Sequence, residues 1–406
     1  MFFACAKAGL ILMPLNTRLA EPELRYQLED AEPAVLLHAP EWADAARALL
    51  PERSAGPEEL VSDRHKVLEG PRDDDGLLLV YTSGTTGKPK GALLTHANCF
   101  WTNLSFDRVA GVDGEDTVLQ VLPQFHVGGW NVQPLLAWWK GARVVLEPSF
   151  DPARALDLIA EKRVTTMMGV PATYLFMAEQ PAFADADLSS LRRCVVGGAP
   201  MPPALVETWR MRGVEVVEGY GLTEAAPNVL IAGKPYPHVD VALRDTDTGE
   251  LLDGPAAGEL LVRGPNVFAG YWRNPQATAE VLAGGWLATG DVAERDAEGS
   301  YRIVGRTKEL VISGGENVYP AEVENVLHEH AAVAEAAVVG VPDGRWGEVC
   351  LAFVVLRGPV TEEALLEHCR TRLARYKVPK AVRTVDALPR NAMNKVVKSE
   401  LLELQR

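Results

Sequence analysis

The sequence predicts an α/β fold: a large N-terminal domain of mixed and parallel β-sheets with flanking helices and a β-rich subdomain, then a small C-terminal α+β domain. Three observations predict it. Apolar runs of strand length alternate with amphipathic stretches up to about residue 232, the pattern of crossover helices on largely parallel sheets. Between 233 and 306 the texture changes to short alternating strands among many Gly and Pro. After 306 the chain reads as a Gly-rich turn, a helix, two strands, a helix and a last strand. A length of 406 residues accommodates two to four domains of ordinary size. The expected boundaries are 1–307 for the large domain, with 233–307 as its β-rich part, and 308–406 for the small one.

Taken in order, the opening MFFACAKAG lacks the basic start of a secretory signal and reads as one face of a helix, so the chain is expected to begin inside structure. Strands are expected at 34–38, 76–81, 117–122, 142–146, 165–170, 193–197 and 214–218, each a short apolar run. The stretches 152–162 and 203–211 carry the spacing of half-buried helices. Strands at 239–244, 259–263 and 301–304 make up the β-rich part. Beyond it come a helix at 320–328, strands at 336–341 and 350–356, a helix at 362–376 and a strand near 382.

The net charge of −15 disfavours general nucleic-acid binding, which depends on neutralising phosphates. Cys5, Cys99, Cys194, Cys350 and Cys369 are odd in number, far apart and without a C-x-x-C pair, which speaks against a disulfide framework or a zinc site. A reducing, cytoplasmic setting fits. No apolar run reaches the ~18 residues of a membrane-spanning helix. Within this acidic chain, 370–398 holds nine basic residues and one acid, Asp386, a segment that in isolation reads as a solvated face.

The strongest local signal is YTSGTTGKPKG at 81–91, directly after an apolar run. Its glycines let backbone N–H groups approach an anion, its hydroxyls can ring phosphate oxygens, and Lys88 and Lys90 add charge. The Walker pattern is excluded, because Gly84 and Gly87 are only three apart and Pro89 follows the first lysine. Three further segments are weak alone. EGYGLTE at 218–224 places an aromatic, a hydroxyl and a carboxylate on one turn, and such a carboxylate suits Mg²⁺ beside a polyphosphate. The acceptor-only carboxylate of TGD at 289–291 can take two hydrogen bonds from a ribose diol, although Asp beside Gly is most often a plain turn. QFHVGGW at 124–130 contains His126, a catalytic candidate that without support is more often structural.

In this order the segments resemble the adenylate-forming superfamily of acyl-CoA synthetases, adenylation domains and luciferases, over essentially the whole chain. Within it, GRTKELVISGGENVYPAEVE at 305–324 is similar to the hinge and first turns of the mobile C-terminal domain of fatty-acyl-CoA synthetases, and 346–348 and 372–380 strengthen that placement. The resemblance implies a ligase that turns a carboxylic acid, ATP and CoA into acyl-CoA, AMP and pyrophosphate through an acyl-adenylate, with a medium- or long-chain fatty acid as the expected substrate. Aryl or short-chain acids, a carrier protein as acceptor, and a nucleotide-binding remnant without turnover are the alternatives.

Residue by residue, the resemblance gives the β- and γ-phosphates to Thr82, Ser83, Gly84, Thr85, Thr86, Gly87 and Lys90, the α-phosphate to Thr223, and Mg²⁺ to Glu224 with Thr85. Gly198, Ala199 and Pro200, together with Glu218, Gly219, Tyr220 and Gly221, would flank the adenine. Asp291 and Arg306 would grip the ribose. Lys395 would bridge the acyl carboxylate and the α-phosphate; Asn394 stands where the family usually has glycine, and Asn tolerates left-handed backbone angles. Lys308 would be the pivot that brings Gly314 and Gly315 to the pantetheine of CoA, with 370–398 receiving its phosphates. Gly129, Trp130 and Val170 would line the acyl site, Trp130 as a gate or as a packed core residue. Family members carry several dozen residues before the position of Met1, and the 228–235 link is shorter than usual, so a shortened large domain is expected. Its exposed sheet edges would favour a homodimer. Peripheral membrane contact is compatible with a fatty-acid substrate.

Overall fold

The computed structural model describes residues 1–60, 70–82, 88–313, 316–390 and 396–403. Among the described residues the strands form five sheets. The largest has seven strands in the order Lys234–Pro235, Asn228–Ile231, Val216–Gly221, Arg193–Val196, Thr166–Gly169, Thr117–Gln120 and Arg143–Leu146, the last five parallel. Alternate residues of its strands feed opposite cores. Val118 and Val195 face the helices His96–Ala110 and Pro134–Lys140, whereas Leu119, Cys194 and Val196 face Pro152–Lys162, Pro171–Ala178 and Pro203–Met211.

Local chemistry explains where these helices begin and end. Asp151 accepts the Arg154 N–H at 2.8 Å, Pro152 supplies a preset φ at the first turn, and Arg163 closes the helix in the left-handed region at φ 53°. Thr95 and Asn98 form a reciprocal capping box at 2.9 and 3.1 Å, and Gly111 ends that helix at φ 63°.

Two sequence expectations change. The strand Gly76–Thr82 lies outside the parallel sheet and pairs antiparallel with Lys90–Thr95, which in turn pairs with Gly270–Tyr271. The reason is length: a parallel return needs a crossover of about a dozen residues, and 83–89 is too short. The helix expected at 362–376 stops at Arg370, and a 3-10 turn Arg375–Lys377 follows. There the Cys369 carbonyl already accepts from Arg372 and Leu373, and Ala374 is extended.

The β-rich part is a six-stranded antiparallel sheet whose longest strand, Trp286–Arg295, pairs with Ala256–Arg263 on one side and with Tyr301–Arg306 on the other. A 3-10 turn, Thr307–Glu309, leads into a five-stranded sheet centred on Gly347–Leu356. Pro320–His328 and Glu362–Arg370 cover one face of that sheet, and Leu401 of Lys398–Glu403 packs on the other. Among the described residues no helix is long and apolar enough to cross a membrane.

Candidate active site

The site gathers at the carboxyl ends of the parallel strands, where a sheet of this kind leaves an open crevice. Thr166–Gly169 ends at Val170, Arg193–Val196 ends at Gly197 and Gly198, and Val216–Gly221 runs into the 3-10 turn Thr223–Ala225. Gly198 has φ +80°, and a β-carbon there would sit 3.5 Å from Val170, so these two predicted residues are neighbours. Ala199 and Pro200 are exposed beside them, as is Glu218 on the next strand. Gly221 is required by close approach, since a β-carbon would lie 2.0 Å from the Pro227 carbonyl oxygen.

From the Val216–Gly221 strand and its turn, two polar chains extend. In the first, the Tyr220 hydroxyl donates to Asp291 Oδ2 at 2.6 Å, and Arg306 Nε lies 3.2 Å from Asp291 Oδ1. Asp291 and Arg306 are cross-strand partners, which fixes their separation. Burial, with the Asp291 charge, pushes the Tyr220 phenol well above its ordinary pKa, so it remains a donor at physiological pH. In the second chain, Tyr271 donates to Glu224 Oε1 at 2.8 Å, and the Lys90 ammonium lies 4.8 Å from the centre of the Tyr271 ring. Lys90 opens the strand that leaves the predicted phosphate loop. That loop is bracketed further: Tyr81 donates to Asp30 at 2.6 Å, and Tyr26 to the Pro89 carbonyl at 3.1 Å. Thr82, at its other mouth, donates to the Lys90 carbonyl at 3.5 Å.

The structure therefore brings together Lys90 and Glu224, and Tyr220, Asp291 and Arg306, with Thr223, Gly198 and Val170 on the adjoining strand ends. Ser83, Gly84, Thr85, Thr86, Gly87, Gly314, Gly315 and Lys395, with Asn394, lie outside the described residues. His126 is half-buried in the turn before Gly128–Asn131, its ring 4.7 Å from that of Phe125. Gly129 lies in a close approach, since a β-carbon would meet the Pro123 carbonyl oxygen at 2.5 Å. Trp130 is 8% exposed, stacks on Phe2 at 4.9 Å and donates to the Gln124 carbonyl at 2.6 Å. Lys308 sits within the 3-10 turn, and Thr307 donates to the Gly290 carbonyl at 3.2 Å. One residue on, Glu309 pairs with the Lys398 ammonium at 2.8 Å, and Glu324 pairs with the same ammonium at 2.9 Å. Burial works against that charge, but the two carboxylates outweigh it and hold the Lys398 pKa above its ordinary value.

Sequence reasoning missed Tyr271, Tyr26 and the tie of Tyr81 to Asp30, and it read Lys398 only as one of the basic residues of 370–398. Each acts through a partner at least 47 residues away, so no local motif carries the signal.

The Tyr220–Asp291–Arg306 and Lys90–Tyr271–Glu224 chains at the strand ends fit a nucleotide-activating enzyme of the adenylate-forming kind. Comparison with known proteins agrees. The AMP-binding enzyme model matches residues 1–272, and the AMP-binding enzyme C-terminal domain model matches 322–395. Feruloyl-CoA synthase of Amycolatopsis sp is 43% identical, the match covering 98% of this chain and 84% of that protein. Indoleacetate–CoA ligase of Aromatoleum aromaticum is 42% identical, and the long-chain-fatty-acid–CoA ligase FadD13 of Mycobacterium tuberculosis 37%, each match covering 99% of this chain and 85% of the relative. Among solved structures, ATP-bound MatB from Rhodopseudomonas palustris superposes with TM-score 0.91 at 33% identity, covering 99% of this chain and 85% of that one. O-succinylbenzoate coenzyme A synthetase of Bacillus subtilis, in complex with ATP and magnesium ion, gives 0.88 at 33% identity, covering 99% and 86%. The chain belongs to the AMP-binding enzyme family, within the adenylate-forming superfamily of acyl-CoA synthetases.

Proposed function

We propose that this acid–thiol ligase activates an aryl-substituted carboxylic acid with ATP and passes the acyl group to CoA. The observation that carries the reading is the pair of polar chains on one strand end, Tyr220–Asp291–Arg306 and Lys90–Tyr271–Glu224.

Activation drives an anionic carboxylate onto an anionic α-phosphorus, so positioning and charge neutralisation dominate catalysis. Asp291, oriented by Tyr220 and Arg306, is an acceptor-only carboxylate of the kind that takes ribose hydroxyls. Lys90 and the loop residues Thr82, Ser83, Gly84, Thr85, Thr86 and Gly87 hold the outer phosphates, and Thr223 donates to the α-phosphate. The adenine lies along 218–221, against Gly198, Ala199 and Pro200. Lys395 approaches from the small domain and spreads the charge developing between the carboxylate and the α-phosphate. The small domain then turns about Lys308 and brings Gly314 and Gly315 to the CoA thiol, whose attack on the acyl carbonyl releases AMP.

The donor set suits magnesium. Glu224 presents one carboxylate beside a phosphate-binding loop, and Mg²⁺ is commonly held by one or two carboxylates plus phosphate oxygens and waters. Glu224, with Thr85, would hold it, and the ion would neutralise charge on the polyphosphate.

Two readings of the acid compete. A medium- or long-chain fatty acid rests on the hinge segment and on the 37% identity to FadD13. An aryl acid is favoured by the 43% and 42% identities to the feruloyl- and indoleacetate-utilising relatives. It is favoured also by Trp130: stacking on Phe2 and a hydrogen bond to Gln124 resist the swing needed to admit a long chain. His126, Gly129 and Val170 complete the wall of the acyl site. The test is a pyrophosphate-release screen over ferulate, indoleacetate and straight-chain C4 to C16 acids, with and without CoA. Acid-dependent release, highest kcat/KM on the aryl acids and AMP release dependent on CoA are expected. Best turnover on long-chain acids would overturn the aryl reading, and pyrophosphate release indifferent to acid would overturn the ligase.

A further inference from the structure

We propose that Tyr271 is a positioning residue that holds the opposite charges of Lys90 and Glu224 apart and aims both at one polyphosphate. The proposal rests on the reading of Lys90 as a phosphate contact and Glu224 as the magnesium ligand.

Between a cation and an anion separated only by a side chain, the default outcome is an ion pair. Among the described residues none forms between Lys90 and Glu224, and Tyr271 is what stands between them. Its ring face takes the Lys90 ammonium at 4.8 Å, and its hydroxyl donates its single proton to Glu224 Oε1 at 2.8 Å. No other hydrogen bond to the Glu224 carboxylate is made among the described residues, so Oε2 is left to face a ligand. A tyrosine can serve both neighbours at once because its π-face attracts cations while its hydroxyl donates to anions.

The backbone around Tyr271 is tied to both partners. The Phe268 N–H donates to the Glu224 carbonyl at 2.9 Å, and the Trp272 N–H to the Gly91 carbonyl at 2.7 Å. Asn266 donates to the Ala225 and Asn228 carbonyls at 3.0 and 2.9 Å, fastening the same segment to the acid's turn. Asn98 donates to the Pro265 and Val267 carbonyls at 2.9 and 2.8 Å, fastening it to the helix that follows the lysine's strand. The Tyr271 N–H donates to Thr278 Oγ1 at 2.9 Å, and the Phe268 ring meets Tyr271 edge-on at 5.0 Å. A side chain anchored this way sets a distance instead of following its neighbours.

Hydroxyl and ring are separable by mutation. ATP binding to the full chain, with no acid present, is measured by calorimetry in EDTA and in excess MgCl₂. Loss of one hydrogen bond to a charged group predicts that Tyr271→Phe weakens MgATP binding about fivefold or more, with metal-free ATP within about twofold of wild type. Tyr271→Leu removes the spacer, lets Lys90 and Glu224 pair, and weakens both forms; adding Glu224→Gln to Tyr271→Leu releases Lys90 and restores metal-free binding. A merely structural tyrosine would move both forms together in the Phe variant and gain nothing from the second substitution, and either result overturns the proposal. So does a Phe variant with wild-type binding of both forms. Glu224→Gln alone separates the two levels. If it leaves the magnesium dependence of ATP binding intact, the Glu224 assignment fails and Tyr271 falls with it; if it abolishes that dependence while Tyr271→Phe behaves as wild type, the Tyr271 proposal alone falls.

Discussion

Asp291 shows how a cross-strand pair and a tyrosine orient one carboxylate. It is 9% exposed, yet both carboxylate oxygens have protein neighbours, Tyr220 and Arg306, which fix its orientation. Asp291→Asn keeps the volume and removes the charge. Hydrogen bonds to charged groups are worth ~1.5–3 kcal/mol, so initial-rate kinetics should show KM for ATP raised about 10- to 100-fold, with a smaller change in kcat. An unchanged KM would remove Asp291 from the nucleotide site. A contiguous string such as TGD at 289–291 offers the sequence reader a candidate, whereas residues that meet only through the fold do not. Tyr271 lies in a plain GYW string at 270–272, and its importance appears only when that strand pairs with Lys90–Thr95.

Among the elements, the helix Lys398–Glu403 is tied by its first residue to the turn Thr307–Glu309. Lys398 clasps Glu309 and Glu324, and Glu324 Oε1 also accepts the Val338 N–H at 2.7 Å. Lys398→Met leaves two carboxylates facing each other. The Lys398 side chain is 25% exposed and Glu309 38%, so the cost lies between that of an exposed pair and the ~3–5 kcal/mol of a buried one, and about 1–2 kcal/mol is expected in urea unfolding. The neutral triple variant Lys398→Met, Glu309→Gln, Glu324→Gln should recover most of it; a single variant as stable as wild type would show that the clasp contributes nothing. The parallel strands and their flanking helices were legible because period and length point the same way, as in 152–162 with its Asp cap and apolar face. The end of the helix at Arg370 was not, because Arg372 and Leu373 compete for one carbonyl in a way composition does not reveal.

For the molecule as a whole, charge balance sets the response to pH. Burial lowers the pKa of His328 and of His368, and for His328 it does so against the opposing pull of Glu324 and Glu335. Both histidines are therefore harder to protonate folded than unfolded. Between the unfolded value, near 6.5, and the lower folded values, the unfolded chain binds more protons, so stability falls as pH drops through that window and is unaffected well above it. The thermal midpoint should decline from pH 7.5 to 5.5, and His328→Gln should flatten the decline; an equally steep slope in the variant would exclude His328 as a source. The two-part architecture was legible in the change of texture at 233 and again after 306. What the sequence left open is how distant segments meet, since the strand pairing of residue 92 with 271 and the ion pair of 309 with 398 form only once the chain has folded.

If residues from both ends of the chain act on a single nucleotide, single-turnover chemistry of Lys395→Ala will show it. Acyl-adenylate formation is measured by rapid quench, and conversion of supplied acyl-adenylate by CoA is measured in parallel. A loss of about 100-fold or more is expected in the first half-reaction, the scale of removing one charge-stabilising donor, with the second within about threefold of wild type. Equal losses in both half-reactions, or none in the first, would exclude Lys395 from the activation step.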